Sequence, residues 1–292
     1  MTGDHPAPIE IRGAPFAWGS RTYVMGVLNV TPDSFSGDGL LAGSEAGVVR
    51  AVDHASRMVA DGADILDIGG ESTRPGHHPV DADEERRRVV PVVAAVRAAL
   101  PAIPISIDTT KAAVADAALD AGADVINDVH GTRGDAELFA VAARRRVPIV
   151  LMHGRPEADH GDVVPEVLAE LEAALDAAVA AGVPDAQLLV DPGIGFGKTP
   201  DQNLALLARL GELRALGRPI VLGTSRKSTL GLLTGLPPAE RVEATVATTV
   251  LGVAAGVDIV RVHDVRANRR AALTADAIVR GWRPAGWEES RR

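Results

Sequence analysis

The feature that most constrains the fold is a short pattern that recurs along the chain: a helical stretch, a glycine, and then an apolar run. Gly62, Gly122 and Gly182 each follow a helical stretch, and an apolar run begins a few residues later in each case. Glycine ends helices because it adopts the left-handed backbone conformation that closes the last turn. The three glycines are spaced by about sixty residues, the length of two strand-plus-helix units. The pattern therefore predicts repeated βα units.

Eight apolar runs are suited to be the strands of these units, and each is followed by a helical stretch. Strands that alternate with helices indicate a parallel sheet, and eight units in about 270 residues match a single-domain (β/α)8 TIM barrel. A doubly wound open sheet is the structural alternative, but there is no GxGxxG after the first strand and no P-loop. The predicted strands span 23–28, 65–69, 104–108, 124–127, 148–152, 187–191, 219–223 and 258–262.

Composition indicates an ordinary globular protein. The chain has 292 residues, a net charge of −9 and no cysteine. The charge disfavours a general nucleic-acid or membrane surface, and the lack of cysteine excludes disulfides and Cys-ligated zinc. We see no signal peptide and no membrane span, so we expect a cytoplasmic protein. Without any linker, we expect an N-terminal extension (1–22), one barrel (23–282) and a polar tail (283–292).

One predicted helix, from about 238 to 255, is nearly apolar all round after its first turn. A helix without a polar face is covered on both sides. In a barrel one side of this helix meets the strands, and the other meets either a partner subunit or a neighbouring helix. We expect a homodimer.

Polar residues collect at the ends of the predicted strands. In a parallel barrel, catalytic side chains gather at the C-terminal strand ends. Four of these residues suit a hydrogen-bond template for a heterocycle, because carboxylates accept from ring N–H groups and an ammonium donates to ring acceptors. A divalent-metal cage is the alternative, which the cation disfavours. Capping of the following helices is a third possibility, best suited to Asp128 and Asp264. The four template residues are Asp108, Asn127, Asp191 and Lys227.

Arg261 and His263 project from the same face of the last strand, because side chains alternate along a strand. A helix predicted to begin near Val265 would add its free N–H groups. Such a pair is suited to phosphate or pyrophosphate. The alternative is a solvated arginine and a histidine bonded to a backbone carbonyl.

Eight segments, in order from residue 23 to about 266, resemble the dihydropteroate synthase family. They are MGVLNVTPDSFS, DIGGESTRPG, SIDT, INDV, LMH, DPGIGFGK, GTSRKS and RVHDV. The resemblance implies a (β/α)8 barrel that condenses 6-hydroxymethyl-7,8-dihydropterin pyrophosphate with p-aminobenzoate. The products would be 7,8-dihydropteroate, a folate precursor, and pyrophosphate, with Mg2+ as cofactor and with pyrophosphate lost before the amine attacks.

The resemblance also implies roles for individual residues. The catalytic residues would be Asp108, Lys227, Arg261 and His263. The pterin would be held by Asp108, Asn127, Met152, Asp191, Gly223 and Lys227. The pyrophosphate would be held by Asn29, Thr73, Arg261 and His263, and Asn29 would also bind Mg2+. The p-aminobenzoate site would contain Phe35, Thr73, Arg74, Pro75, Phe196, Lys227 and Ser228. By its own pattern, Phe35 is either a core anchor or a stacking surface.

Two loops depart from the family pattern. The first reads FSGDG where members commonly read FSDGG, and LMHGRP lacks the second methionine of a common MHM pattern. A pterin-binding methyltransferase would share the template but has no need for Arg261, His263 or the ESTRPG segment. A paralogue that binds pterin without turnover would be expected to have lost Arg74, Lys227, Arg261 or His263, and all four are present.

Overall fold

Eight parallel strands form one sheet, and two further strands form an N-terminal hairpin. The architecture comes from a computed structural model that describes residues 5–31, 44–71, 80–131, 136–154 and 161–287. The strands are β1 (Ile9–Ile11), β2 (Ala14–Phe16), β3 (Tyr23–Asn29), β4 (Ile65–Gly69), β5 (Ile105–Asp108), β6 (Val125–Asp128), β7 (Ile149–Met152), β8 (Leu188–Asp191), β9 (Val221–Leu222) and β10 (Ile259–Val262).

Helices cover the outside of the sheet. They are α1 (Glu45–Ala60), α2 (Ala82–Ala99), α3 (Ala112–Asp120), α4 (Ala136–Arg145), α5 (Val163–Ala180), α6 (Pro200–Ala208), α7 (Ser228–Thr234), α8 (Val242–Ala255) and α9 (Val265–Val279). Short 3-10 turns lie at Asp185–Gln187, Leu210–Leu216 and Pro238–Glu240. Among the helices of the described ranges, none has the length and apolar character that a membrane crossing requires.

The sheet closes into a barrel. Its strand order is β8-β7-β6-β5-β4-β3-β10-β9, and a parallel bridge between Val190 and Ile220 joins the two ends. At that seam the Val190 amide donates to the Pro219 carbonyl over 3.0 Å. The (β/α)8 prediction is confirmed, and the doubly wound alternative is wrong. The seventh barrel strand is shorter than the predicted 219–223, because only two residues of β9 form a regular ladder, with β10.

The barrel strands divide their side chains between two layers. In β5, Ile105 and Ile107 pack in the aliphatic layer between strands and helices. Ser106 and Asp108, which alternate with them, are buried polar residues on the opposite face, inside the barrel. Seven apolar side chains fill the N-terminal part of the interior: Met25, Ile65, Val125, Val150, Leu189, Val221 and Ile259. The polar interior positions therefore lie toward the C-terminal ends of the strands.

The N-terminal extension closes the opposite end of the barrel. Phe16 and Trp18 belong to the same buried cluster as the interior apolar residues. The ring centroids of Phe16 and Tyr23 are 4.5 Å apart. Asp258 anchors the segment, because its Oδ1 accepts from the Gly19 amide over 3.0 Å. These contacts make the extension part of the barrel core at the N-terminal ends of the strands.

The apolar helix α8 starts at Val242, later than the predicted 238, because a 3-10 turn occupies Pro238–Glu240. Its inner side is buried through Gly252 and Val253, whereas Val250 and Leu251 are 39% and 58% exposed. A neighbouring helix therefore does not cover this outer side.

The packing of Phe16 against Trp18 and Tyr23 predicts that loss of one ring lowers the stability of the fold and leaves the C-terminal mouth of the barrel unchanged. Phe16→Ala would remove a ring that is 1% exposed and should lower the free energy of unfolding by about 3–5 kcal/mol, because it leaves a cavity. Urea denaturation followed by circular dichroism measures this change. Trp287→Ala, at a side chain 41% exposed, is the control and should change stability by less than about 0.5 kcal/mol. If the free energy of unfolding fell as little in Phe16→Ala as in Trp287→Ala, the aromatic cluster would not stabilise the barrel.

Candidate active site

The register of the barrel brings polar strand ends to one level of its C-terminal mouth. Asn29 pairs with Gly69, Gly69 with Asp108, and Asp108 with Asn127 across successive parallel strands. Gly69 lets its strand approach Asp108 closely, since a Cβ at this position would lie 3.3 Å from the Asp108 Cβ. Three side chains predicted to bind ligands therefore line one rim.

Arg261 ties this rim together from β10, on the other side of β3. Its Nε donates to Asp67 Oδ2 over 2.6 Å, and its Nη2 donates to Asp108 Oδ2 over 2.5 Å. Asp67 Oδ2 also accepts from Asn127 Nδ2 over 3.1 Å. Sequence reasoning placed Asp108 and Asn127 in one set and Arg261 in another. The structure joins the two sets through Asp67.

Burial of these charges moves their ionisation toward neutral pH. Burial raises the pKa of Asp108 to about 7; the positive charge of Arg261 opposes this shift, and the negative charge of Asp67 adds to it. Burial lowers the pKa of Lys227 to about 8, with a further contribution from Arg261. Burial also raises the pKa of Asp191, against the hydrogen bond from the Gly193 amide. Such a site can adjust its charge to that of a ligand near pH 7.

Asp191 lies beside two other predicted pterin contacts. It pairs with Met152 in the ladder between β7 and β8. Gly223 faces its carboxylate, since a Cβ on Gly223 would lie 3.6 Å from Asp191 Oδ2. Asp191 Oδ1 accepts from the Gly193 amide over 2.7 Å. The strand end thus presents a held carboxylate with open space next to it.

The loop from Gly193 to Lys198 is held by its own lysine. Lys198 Nζ donates to the carbonyls of His153, Gly193 and Phe196 over 3.2, 2.9 and 3.1 Å. These three hydrogen bonds hold the loop in a conformation in which the Phe196 ring centroid lies 3.9 Å from Lys227 Nζ. His153 is fully buried and lies under this loop, where its carbonyl accepts from Lys198 Nζ.

Ser225 orients His263. Its Oγ accepts from the His263 amide over 3.1 Å and lies 3.0 Å from His263 Nδ1. The next residue, Arg226, forms a two-point pair with Asp264 over 2.8 and 3.1 Å. Asp264 precedes α9, yet its side chain makes no capping hydrogen bond there. The helix-cap interpretation of Asp264 is therefore wrong, because its carboxylate is used by Arg226.

Three contributors were missed by sequence reasoning: Asp67, Lys198 and Ser225. Asp67 had a usable signal, since a carboxylate within an otherwise apolar strand is rarely buried without a partner. Lys198 and Ser225 had none, because contacts of Lys198 with backbone carbonyls and of Ser225 with His263 depend on how the loops fold, which no local pattern reports. The roles of Phe35, Thr73, Arg74 and Pro75 fall outside the ranges that the structure describes.

A magnesium ion has one predicted protein ligand here. In the described ranges, no three or more His, Cys, Asp or Glu side chains are grouped to hold a metal. Asn29 lies half-buried at the rim, and its amide oxygen suits Mg2+. Because Mg2+ keeps several waters and binds phosphate oxygens through few protein groups, one amide is compatible with it when a pyrophosphate is bound.

Comparison with known proteins agrees with this geometry. Residues 25–263 match the model of a family described as pterin binding enzyme. A dihydropteroate synthase of Bacillus subtilis (strain 168) is 48% identical over 278 residues, which are 95% of this chain and 96% of that protein. A solved dihydropteroate synthase of Clostridium difficile, in the presence of pteroic acid, superposes with a TM-score of 0.87 at 48% identity, covering 91% of this chain and 99% of its own. One of Xanthomonas albilineans, with 4-aminobenzoic acid, gives 0.86 at 44% identity, covering 94% and 98%.

The charge cluster predicts how Asp67 acts on its neighbour. In Asp67→Asn, the pKa of Asp108 should fall from about 7, because a negative charge nearby is removed and Arg261 has one fewer carboxylate to pair with. Titration by carbon NMR of labelled aspartate measures this pKa. Asp120→Asn, on the outer surface of α3, is the control and should leave it unchanged. An Asp108 pKa that stays constant or rises in Asp67→Asn would contradict the coupling.

Proposed function

The chain belongs to the pterin binding enzyme family, and we propose that it catalyses the dihydropteroate synthase reaction. It joins 6-hydroxymethyl-7,8-dihydropterin pyrophosphate to p-aminobenzoate and releases pyrophosphate. The observation that carries this proposal is a set of two buried carboxylates, a buried amide and a partly buried ammonium at the barrel mouth, next to Arg261. This set matches a flat ring that carries both N–H donors and ring acceptors.

In this proposal the pterin ring lies among strand-end side chains. Asp108, Asn127 and Asp191 offer acceptors and one amide donor, and Lys227 offers a donor to a ring acceptor. Met152 contributes apolar contact. Gly223 leaves room beside the Asp191 carboxylate, as a Cβ there would lie 3.6 Å from it. The raised pKa of Asp108 and of Asp191 supports a ring N–H as partner, because such a donor stabilises the ionised carboxylate that burial disfavours.

The pyrophosphate is assigned to Asn29, Arg261 and His263, with Thr73 from the second loop. Arg261 already neutralises two carboxylates, so its positive charge is held at the rim before substrate arrives. Asn29 would hold Mg2+ together with pyrophosphate oxygens, and the ion would supply positive charge to the leaving group. Ser225, 3.0 Å from His263 Nδ1, supports the His263 ring in facing this group.

The reaction breaks the bond between the pterin methylene carbon and the pyrophosphate oxygen, and the electron pair leaves with the oxygen. The cationic pterin that remains is stabilised by the Asp108 carboxylate, while Arg261 and His263 stabilise the leaving anion. The lone pair of the p-aminobenzoate amine then forms the new C–N bond with the methylene carbon, and the nitrogen gives up a proton to the released pyrophosphate or to solvent. Exclusion of water matters here, because water would otherwise capture the cation.

The p-aminobenzoate site is assigned to the two segments that meet at Lys227. Phe196 offers a ring face next to the Lys227 ammonium, and Ser228 begins α7 immediately after it. The family resemblance adds Phe35, Thr73, Arg74 and Pro75 from the first two loops. The carboxylate of p-aminobenzoate would be balanced by a cation and a hydroxyl at this position.

We further propose a cytoplasmic homodimer. The outer side of α8 exposes Val250 and Leu251, and the end of α9 exposes Ile278 and Val279, at 78% and 51%. Exposed apolar side chains on neighbouring helices favour pairing with a second copy. Light scattering at micromolar concentration should give twice the chain mass, and a single monomeric species would contradict the dimer.

Pyrophosphate release tests the proposed reaction. The purified chain is given Mg2+, the pterin pyrophosphate and p-aminobenzoate, and each is omitted in turn. Release should require all three, and mass spectrometry should detect 7,8-dihydropteroate. Pterin binding without turnover would instead favour a binding paralogue. Turnover with a methyl donor would favour the methyltransferase.

Asp108→Asn should separate catalysis from binding. The amide keeps a hydrogen-bonding group next to the ring but removes the charge that stabilises the cation. We expect kcat to fall by about 10²–10³-fold, while the dissociation constant of the pterin pyrophosphate rises by less than about tenfold. Calorimetry and steady-state rates measure the two quantities. Asp116→Asn, in an exposed ion pair on α3, is the control, and equal losses of kcat and affinity in Asp108→Asn would refute the electrostatic role.

A further inference from the structure

We propose that Asn203 is a positioning residue for the p-aminobenzoate site, because its side chain bonds both segments that form it. Asn203 lies in α6, is 2% exposed, and belongs to neither segment. The inference rests on the proposed function, which assigns Phe196, Lys227 and Ser228 to that substrate.

Asn203 holds the first segment, the loop from Gly193 to Lys198, at two points. Its Oδ1 accepts from the Gly195 amide over 2.7 Å. Its Nδ2 donates to the Thr199 carbonyl over 3.0 Å, and the Lys198 carbonyl lies 3.4 Å from the same nitrogen. Gly195 directly precedes Phe196 and has a φ of +80°. The bond to Asn203 therefore fixes the backbone from which the Phe196 ring projects.

Asn203 holds the second segment through Thr229. Its Nδ2 also donates to Thr229 Oγ1 over 3.1 Å, and the bond is buried. Thr229 is 3% exposed and is the second residue of α7, directly after Ser228. The distance between the Gly195 backbone and the start of α7 is thus set by one amide side chain.

The two segments touch at Lys227, where this distance matters. A Cβ on Gly195 would lie 3.1 Å from Lys227 Cδ, so the loop backbone packs directly against the lysine stem. The Lys227 ammonium lies 3.9 Å from the Phe196 ring centroid. In the ranges that the structure describes, no backbone hydrogen bond joins residues 193–198 to residues 225–229. The side-chain link through Asn203 therefore aligns the ring and the cation before substrate binds.

A purely structural role for Asn203 can be distinguished from a positioning role by which quantity changes when the link is lost. If the link only stabilised the packing of α6 against α7, its loss would lower the melting temperature and leave substrate preference unchanged. If it positions the amine site, its loss raises the KM for p-aminobenzoate more than it weakens pterin binding. Within the part of the chain that the structure describes, Asp108 and Asn127, the strand-borne pterin contacts that bind Arg261 and Asp67, have no hydrogen bond to either segment of this link.

Thr229→Val and Thr229→Ser form the matched pair for the test. Valine keeps the shape of threonine but removes the acceptor, whereas serine keeps the hydroxyl. Loss of one buried neutral hydrogen bond should raise the KM for p-aminobenzoate by about 3–10-fold in Thr229→Val. The kcat and the dissociation constant of the pterin pyrophosphate should stay within about twofold of the wild-type values. Thr229→Ser should restore the KM.

Asn203→Ala and the wild-type assay distinguish failure of this inference from failure of the proposed function. Asn203→Ala removes the bonds to both segments and should raise the KM further, and should add little to the KM effect of Phe196→Ala, since both act through the ring. An unchanged KM in folded Thr229→Val, or an equal rise in the pterin dissociation constant, would overturn the inference while wild-type turnover upholds the proposed function. Absence of turnover in the wild-type chain would refute the proposed function itself.

Discussion

The site depends on one partly buried guanidinium that two buried carboxylates share. Arg261 joins Asp67 and Asp108, and Asp67 in turn holds the Asn127 amide. Removing one partner from such a group costs about 3–5 kcal/mol, because it leaves an uncompensated buried charge. The cluster is therefore stable only when Arg261 and both carboxylates are present together. It keeps Asp108, Asn127 and the Arg261 guanidinium in register at the barrel mouth.

The barrel supplies the conditions for this cluster by separating apolar from polar layers. The N-terminal part of the barrel interior is filled with aliphatic side chains and closed by the aromatic residues of the N-terminal extension. Charges near such a layer are poorly solvated, which is why burial moves the pKa of Asp108 up and that of Lys227 down. A site whose acid and base both ionise near neutrality suits a reaction in which a ring gains positive charge and an anion leaves.

The loops above the strands are organised by a different kind of bond. Lys198 and Asn203 bind backbone carbonyls and amides, whereas the strand-end residues line the barrel mouth. In the proposed function, the ring is bound by residues on strands, and the amine substrate is bound by segments whose relative placement depends on a few side chains. Of the two departures of the chain from the family pattern, FSGDG lies outside the described ranges, and LMHGRP begins within β7 and leaves the described ranges after residue 154.

Much of the fold and part of the site followed from the sequence. The repeat of helix, glycine and strand determined eight βα units, since helical and strand periodicities are local properties of the chain. The polar strand ends and the eight motif segments determined the family, which the comparisons confirm. Because side chains alternate along a strand, the sequence also predicted that Arg261 and His263 project from one face.

Tertiary structure alone decided which charges meet. Asp67 and Arg261 are separated by 194 residues, and their pairing depends on the register of β3, β4 and β10, which no local pattern reports. The same holds for Asp264, which by sequence resembled a helix cap but binds Arg226 from another loop. The exposed outer side of α8 was likewise settled only when the neighbouring helices were in place. Local periodicity determines elements and faces, whereas ion pairs and loop contacts depend on distances across the barrel.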